Sequence, residues 1–135
     1  MITVLLVDDF PAMRQLLRDI LDQSPDVQVI GQASTGEEAV AQSAVLRPAV
    51  VLIDLRLPTM SGTEATAFIK RHSPFTTVIG LTAGASAYDE LAMRDAGAVT
   101  VLNKGDIMER LYPTIIEECT VSKIEAHLVG QESRI

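Results

Sequence analysis

The sequence predicts an α/β domain: a doubly wound parallel sheet of five strands with helices on both faces. Three observations carry that expectation. Short aliphatic or β-branched runs alternate five times with segments of helical spacing, and the connections between them are short. The strand runs are also apolar at consecutive positions rather than at every second one. Unbroken apolar strands suit a sheet buried on both faces, and strict βα alternation implies parallel strands joined by right-handed crossovers.

The first strand is Ile2-Thr3-Val4-Leu5-Leu6-Val7, ended by Asp8-Asp9-Phe10-Pro11, with Pro11 suited to the first turn of a helix. Met13, Leu16, Leu17, Ile20 and Leu21 then share one helical face, which stops near Ser24-Pro25. Val27 to Ala33 is the second strand. Ser34-Thr35-Gly36-Glu37 is an N-cap signal for a helix carrying Ala39, Val40, Ala44 and Leu46. The third strand, Ala49 to Ile53, is the most apolar stretch and runs into Asp54. A loop from Leu55 to Gly62 leads to a helix ending near His72. Thr76 to Leu81 and Val99 to Leu102 are the fourth and fifth strands, flanking a helix from Tyr88 to Ala96. A last helix runs from Asp106, its expected cap, to about Glu118. The units share a pattern, not residues, so this is no repeat protein. The expected domain is 1–119. Residues 120–135 form a tail in which Val121, Ile124 and Leu128 recur at helical spacing. That tail is either a solvated linker, a short helix, or an extension of the last one.

With 135 residues the chain suits one domain, and its 47% hydrophobic and 21% charged residues suit a folded one. A net charge of −7 argues against nucleic-acid binding by the domain itself, since that affinity comes from Lys and Arg on phosphates. The single cysteine, Cys119, allows no internal disulfide and suits a reducing compartment. No apolar run reaches the ~18 residues of a membrane span. Met1-Ile2-Thr3-Val4 lacks the basic start of a signal peptide, so the cytoplasm is the expected location.

The polar residues gather at one edge. Asp8 and Asp9 follow strand one, Asp54 strand three, Thr82 strand four and Lys104 strand five. All lie at the carboxyl ends of the strands, where open α/β sheets bind ligands. Singly, each is better read as a helix cap, a turn residue or a solvated lysine; capping does not explain their joint placement. Two like charges ~4 Å apart repel by ~4 kcal/mol at an effective dielectric of 20. A proton or a cation must relieve three clustered carboxylates, and hard oxygen donors suit Mg²⁺. Lys104 adds a further positive charge. Such a set handles phosphate, and a carboxylate can itself accept a phosphoryl group as an aspartyl phosphate.

These residues resemble the receiver domains of two-component response regulators. The likeness covers about Ile2 to Glu118. It includes Asp8-Asp9, the segment Asp54-Leu55-Arg56-Leu57-Pro58-Thr59-Met60-Ser61-Gly62, Thr82-Ala83, and Ala96-Gly97-Ala98 leading towards Lys104. The resemblance implies a flavodoxin-like sheet of order 2-1-3-4-5. It implies that Asp54 accepts a phosphoryl group from a histidine kinase or phosphotransfer protein. Mg²⁺ would be held by Asp8, directly or through water, Asp9, Asp54 and the Arg56 backbone carbonyl. Lys104, the Thr82 hydroxyl and the Ala83 N–H would contact the phosphoryl oxygens. Pro58 and Gly62 would shape the loop. Such a domain is a switch rather than an enzyme, with self-phosphorylation and slow dephosphorylation its only reactions. Homodimerisation or docking is expected through the fourth helix, fifth strand and fifth helix. Candidate contacts there are Met93, Met108, Leu111 and Ile115, for which core packing is the competing reading in at least half.

Two departures stand out. Receivers often carry Tyr or Phe where this chain has Val101, whose branched side chain cannot swing like a ring. The expected exit for the signal is therefore the loop after Thr82 and the helix from Tyr88. Gly105 stands where Pro commonly follows the lysine, so a trans Lys104-Gly105 bond is expected. Both departures lean the expected output towards a helix-turn-helix DNA-binding domain outside this chain, that is, transcription. Arg56 and Gly84 flank the approach of an attacking water, although a solvated loop arginine explains Arg56 equally well. Nucleotide enzymes are disfavoured by the lack of a P-loop or G-x-G-x-x-G, and flavin carriers by acids where a phosphate loop belongs. The remaining rival is an interaction module that keeps the fold but is never phosphorylated.

Overall fold

Strands and helices alternate through residues 1–132, the part of the chain described by the computed structural model. They are β1 (Ile2–Val7), α1 (Pro11–Asp22), β2 (Val27–Ala33), α2 (Gly36–Leu46), β3 (Val50–Asp54), α3 (Gly62–His72), β4 (Thr77–Thr82), α4 (Ala87–Ala96), β5 (Thr100–Asn103) and α5 (Ile107–Glu132). A 3-10 turn, Lys104–Asp106, separates β5 from α5. The five strands form one parallel sheet in the order β2-β1-β3-β4-β5, the doubly wound, flavodoxin-like arrangement.

Each strand turns successive side chains to opposite faces, which builds two cores. Val4, Leu6, Val50, Leu52, Ile79 and Leu81 face α1 and α5, meeting Leu17, Leu21, Leu111 and Ile115. Leu5, Val7, Val51, Ile53 and Val78 face the other three helices, meeting Ala39, Ala65, Ile69 and Met93. The residues that α2 buries on this second side are small: Gly36, Ala39 and Ser43. On α1 the expected face holds for Leu17 and Leu21, which are fully buried, and less for Leu16, which is exposed. On α2 only Ala39 of the expected four is buried; Val40 is half-buried, and Ala44 and Leu46 are exposed.

Helix starts follow the expected chemistry. Pro11 opens α1, Thr35 accepts the Glu38 amide at 3.1 Å, and Ser61 accepts the Glu64 amide at 3.1 Å. Ser86 and Asp89 form a reciprocal capping box on α4. The entry to α5 differs from expectation. Asn103 caps the 3-10 turn that precedes α5, its Oδ1 accepting the Gly105 amide at 2.8 Å, and Asp106 is the last residue of that turn. The Lys104-Gly105 bond is trans, as expected.

The last helix continues unbroken past Glu118 to Glu132, so of the three readings of the tail the extension of that helix holds through residue 132. Pro113, its seventh residue, has no N–H for the Glu109 carbonyl, yet the helix passes through it. Ile124 and Leu128 are more than half exposed. The side chain of Val121 and residues 133–135 lie outside what the structure describes. No helix among the described residues is long and apolar enough to cross a membrane.

Candidate functional site

The sheet order places β1 between β2 and β3, with its first connection leaving towards β2 and the next returning to β3 on the other side. Helices leave in opposite directions there, which opens a crevice at the carboxyl ends of β1 and β3. Asp8 and Asp9 follow Val7, and Asp54 ends β3 beside them. Their carboxylate oxygens lie within 4.8 Å of one another. Asp8 is fully buried and Asp54 nearly so, while Asp9 is half-buried. The predicted trio therefore meets in one place.

Lys104 enters from the far side of β4 and joins it. Its Nζ donates to Asp8 Oδ2 at 2.8 Å and to Asp54 Oδ2 at 3.0 Å. Burial alone acts to lower the Lys104 pKa. Hydrogen bonds to Asp8 and Asp54, together with their charges, outweigh it and raise the pKa above the ordinary lysine value. One ammonium against three carboxylates still leaves local negative charge.

Main-chain groups fix the two deeper acids. The Arg56 amide donates to Asp54 Oδ1 at 3.0 Å, and the Phe10 amide to Asp8 Oδ1 at 2.9 Å. Leu55 donates to the Leu81 carbonyl, tying the end of β3 to β4. Gly62 then donates to the Leu55 carbonyl at 2.9 Å, which closes the loop. A Cβ on Gly62 would overlap the Asp54 carbonyl oxygen, so only glycine permits this return.

Thr82 lies one residue beyond the ladder partner of Asp54. It is buried, and its Oγ1 accepts the Gly84 amide at 3.1 Å, leaving its own O–H proton for another acceptor. Ala83 and Gly84 follow it on the surface. The Arg56 side chain is exposed. Val101 is half-buried and packs against the core beneath α3 and α4. Of the four proposed docking residues, Met93, Leu111 and Ile115 are core, as the competing reading had it, and only Met108 is exposed. Tyr88 and Leu91 on α4 are exposed as well.

Several contributors escaped the sequence reading. Arg14 on α1 donates from Nη1 to the Asp8 carbonyl at 2.6 Å and from Nε to Gln32 at 3.1 Å, which brings a second cation near the acids. Thr59, in the loop after Asp54, has a left-handed backbone with φ 62°. Its Oγ1 lies 2.7 Å from Glu37 Oε1, and this hydrogen bond is the main cause of a lowered Glu37 pKa.

Among curated proteins, the chain is 40% identical over 114 residues to a protein-glutamate methylesterase/protein-glutamine glutaminase of Syntrophus aciditrophicus, covering 83% of this chain and 33% of that protein. The chain thus spans about a third of the length of the curated relatives it matches. These relatives do not carry the expectation of a DNA-binding output. Among solved structures, the response regulator domain of Thermotoga maritima CheB is 32% identical, with a TM-score of 0.79 over 90% of this chain and 96% of that one. A LuxR-family two-component response regulator from Aurantimonas sp. SI85-9A1 is 25% identical, with a TM-score of 0.84 over 98% of each. The family described as the response regulator receiver domain matches residues 4–115. That match runs from within β1 into α5 and takes in every element that builds the acidic crevice, and on it the chain belongs to the response regulator receiver domain family.

Proposed function

We propose that this domain accepts a phosphoryl group on Asp54 from a phosphohistidine of a histidine kinase or phosphotransfer protein. The observation that supports it best is Lys104 bridging Asp8 and Asp54 beside a third acid, Asp9. A carboxylate oxygen of Asp54 attacks phosphorus while the P–N bond breaks and its electron pair leaves with the imidazole. Lys104 faces the developing charge on the phosphoryl oxygens. The Thr82 hydroxyl and the Ala83 amide are assigned to the same oxygens, and the Arg56 amide keeps the Asp54 carboxylate in place.

The donor set fits Mg²⁺: three clustered carboxylates, only partly neutralised, with hard oxygen ligands. Asp8, Asp9, Asp54 and the Arg56 carbonyl would hold the ion. When bound it neutralises charge on the transferring group. The receiver unit is assigned to residues 1–119, with the end of α5 as a lead towards a partner or a further domain. Val101 gives no aromatic gate, so the signal is assigned to the loop after Thr82 and to α4. Tyr88, Leu91 and Met108 offer an exposed α4–β5–α5 face for docking or dimerisation. The relatives favour an output of the methylesterase class over transcription, and a cytoplasmic setting accords with a single cysteine, Cys119, which can form no internal disulfide.

The test is incubation with Mg²⁺ and acetyl phosphate, read by intact mass. One phosphoryl group on the wild-type chain and none on Asp54→Asn is the expected result. An unlabelled wild type, also unresponsive to beryllofluoride, would favour the phosphorylation-independent interaction module instead.

A further inference from the structure

Thr59 sits five residues after Asp54, in a backbone conformation that β-branched residues strongly disfavour. Nothing in its own loop requires threonine there; glycine would adopt φ 62° freely. What holds the conformation comes from another element. The Thr59 hydroxyl has one proton and two acceptors at 2.7 Å, the Pro58 carbonyl and Glu37 Oε1 of α2. The carboxylate is the stronger acceptor. The neighbouring contact is also tight. A Cβ on Gly36 would come within 2.9 Å of the Met60 Cβ and carbonyl oxygen, so the loop rests directly on the first turn of α2.

The other end of the same loop is tied to the site. Arg56 N–H bonds to Asp54 Oδ1, and only Leu57 and Pro58 separate Arg56 from Thr59. Pro58 has a fixed φ, and its carbonyl accepts the Met60 amide at 2.7 Å. The path from Arg56 to Met60 therefore has little slack. We infer that Glu37 is a positioning residue for the acidic site: its bond to Thr59 latches the loop after β3 against α2 and so orients the Arg56 backbone, whose N–H holds Asp54 and whose carbonyl is assigned to the ion. This rests on the phosphoacceptor reading above. The latch touches neither the phosphoryl group nor the metal; it sets how well the chain is prepared for them.

The experiment compares the wild-type chain with Glu37→Ala, Thr59→Val, Thr59→Gly and the double variant Glu37→Ala/Thr59→Gly. Mg²⁺ binding is read by calorimetry, labelling by acetyl phosphate and intact mass, and metal-free loop motion by amide exchange at Arg56 and Met60. Glu37→Ala and Thr59→Val should each weaken Mg²⁺ binding about fivefold, the scale expected from releasing one strained backbone position. Their labelling at saturating Mg²⁺ should match the wild type, and both amides should exchange faster without metal. Glycine holds the conformation without the latch, so Thr59→Gly and the double variant should bind Mg²⁺ nearly as the wild type does. Normal wild-type labelling with Mg²⁺ affinity unchanged in Glu37→Ala would overturn the latch alone. So would a loss that persists in the double variant, because Glu37 would then act other than through Thr59. A wild-type chain that neither binds Mg²⁺ nor takes up phosphate removes the phosphoacceptor reading and the latch with it.

Discussion

Two lysines at opposite edges of the sheet show how one residue type serves structure at one end and chemistry at the other. Lys70, in the last turn of α3 near the amino edge, donates to the carbonyls of Pro74 and Thr76, both at 2.7 Å. Lys104, at the carboxyl edge, donates to two carboxylates at 2.8 and 3.0 Å. Burial lowers the pKa of Lys70, because carbonyl dipoles do not repay the lost hydration of the charge. The pKa of Lys104 is raised despite burial, because its partners are anions. Around Lys70 the groups satisfy one another: Thr76 Oγ1 bonds the Pro48 carbonyl, and the Ala49 amide bonds Thr3. Around Lys104 they do not. Three acids face one ammonium, and the imbalance is what a divalent ion and a phosphoryl group can use.

Removing Lys104 should break this comparison most visibly. Lys104→Met leaves Asp8 and Asp54 without their counter-charge where Asp8 is fully buried. Loss of one partner from a buried ion pair costs about 3 kcal/mol or more. Urea unfolding at neutral pH without divalent cations should show that loss, as a lower midpoint at unchanged slope. A loss under about 1 kcal/mol would mean that water already screens the acids, as at a surface salt bridge.

The carboxyl edge was legible in the sequence because strand alternation fixes which residues reach it. Once Ile2–Val7 and Val50–Asp54 are strands, Asp8 and Asp54 must end together, and Lys104 follows from the fifth unit. Less was legible where a contact joins separate units without a repeating pattern. Nothing in the spacing links Glu37 to Thr59, and propensity argues against a left-handed threonine. Arg14 on the Asp8 carbonyl is a long side chain reaching back across one turn, which composition does not reveal. The length of α5 was left open, between an extension, a separate short helix and a linker, for another reason. Its buried stripe of Ile107, Leu111, Ile115 and Cys119 ends where the expected helix ends, and the exposed Ile124 and Leu128 beyond it define no core contact.

At the amino edge the effect of substitution should be smaller. Lys70→Met removes two hydrogen bonds, but the exposed Pro74 carbonyl regains water, and the apolar replacement avoids the desolvation of a charge. The expected loss is about 1–2 kcal/mol, roughly that of charged hydrogen bonds with partial rehydration. The same urea series checks it. A loss matching that of Lys104→Met would mean the two edges do not differ in kind.

The smallest effect is the most specific, because the two lysines pull stability in opposite directions in alkali. Between the depressed native pKa of Lys70 and the ordinary value of 10.5, the unfolded chain holds a proton that the native chain lacks, so stability rises with pH. Above 10.5 the native chain keeps the Lys104 proton that the unfolded chain has lost, and stability falls until the raised native pKa is passed. Tyr112 adds to the fall, since its hydrogen bond to Asp26 raises its pKa above 10.0. The comparison therefore belongs in a Tyr112→Phe background. There, stability should climb and then drop across the lysine range, and adding Lys70→Met should remove the climb while leaving the drop. If the drop disappears with Lys70 instead, the carboxylates are not what holds the proton on Lys104, and the electrostatic contrast between the two edges fails.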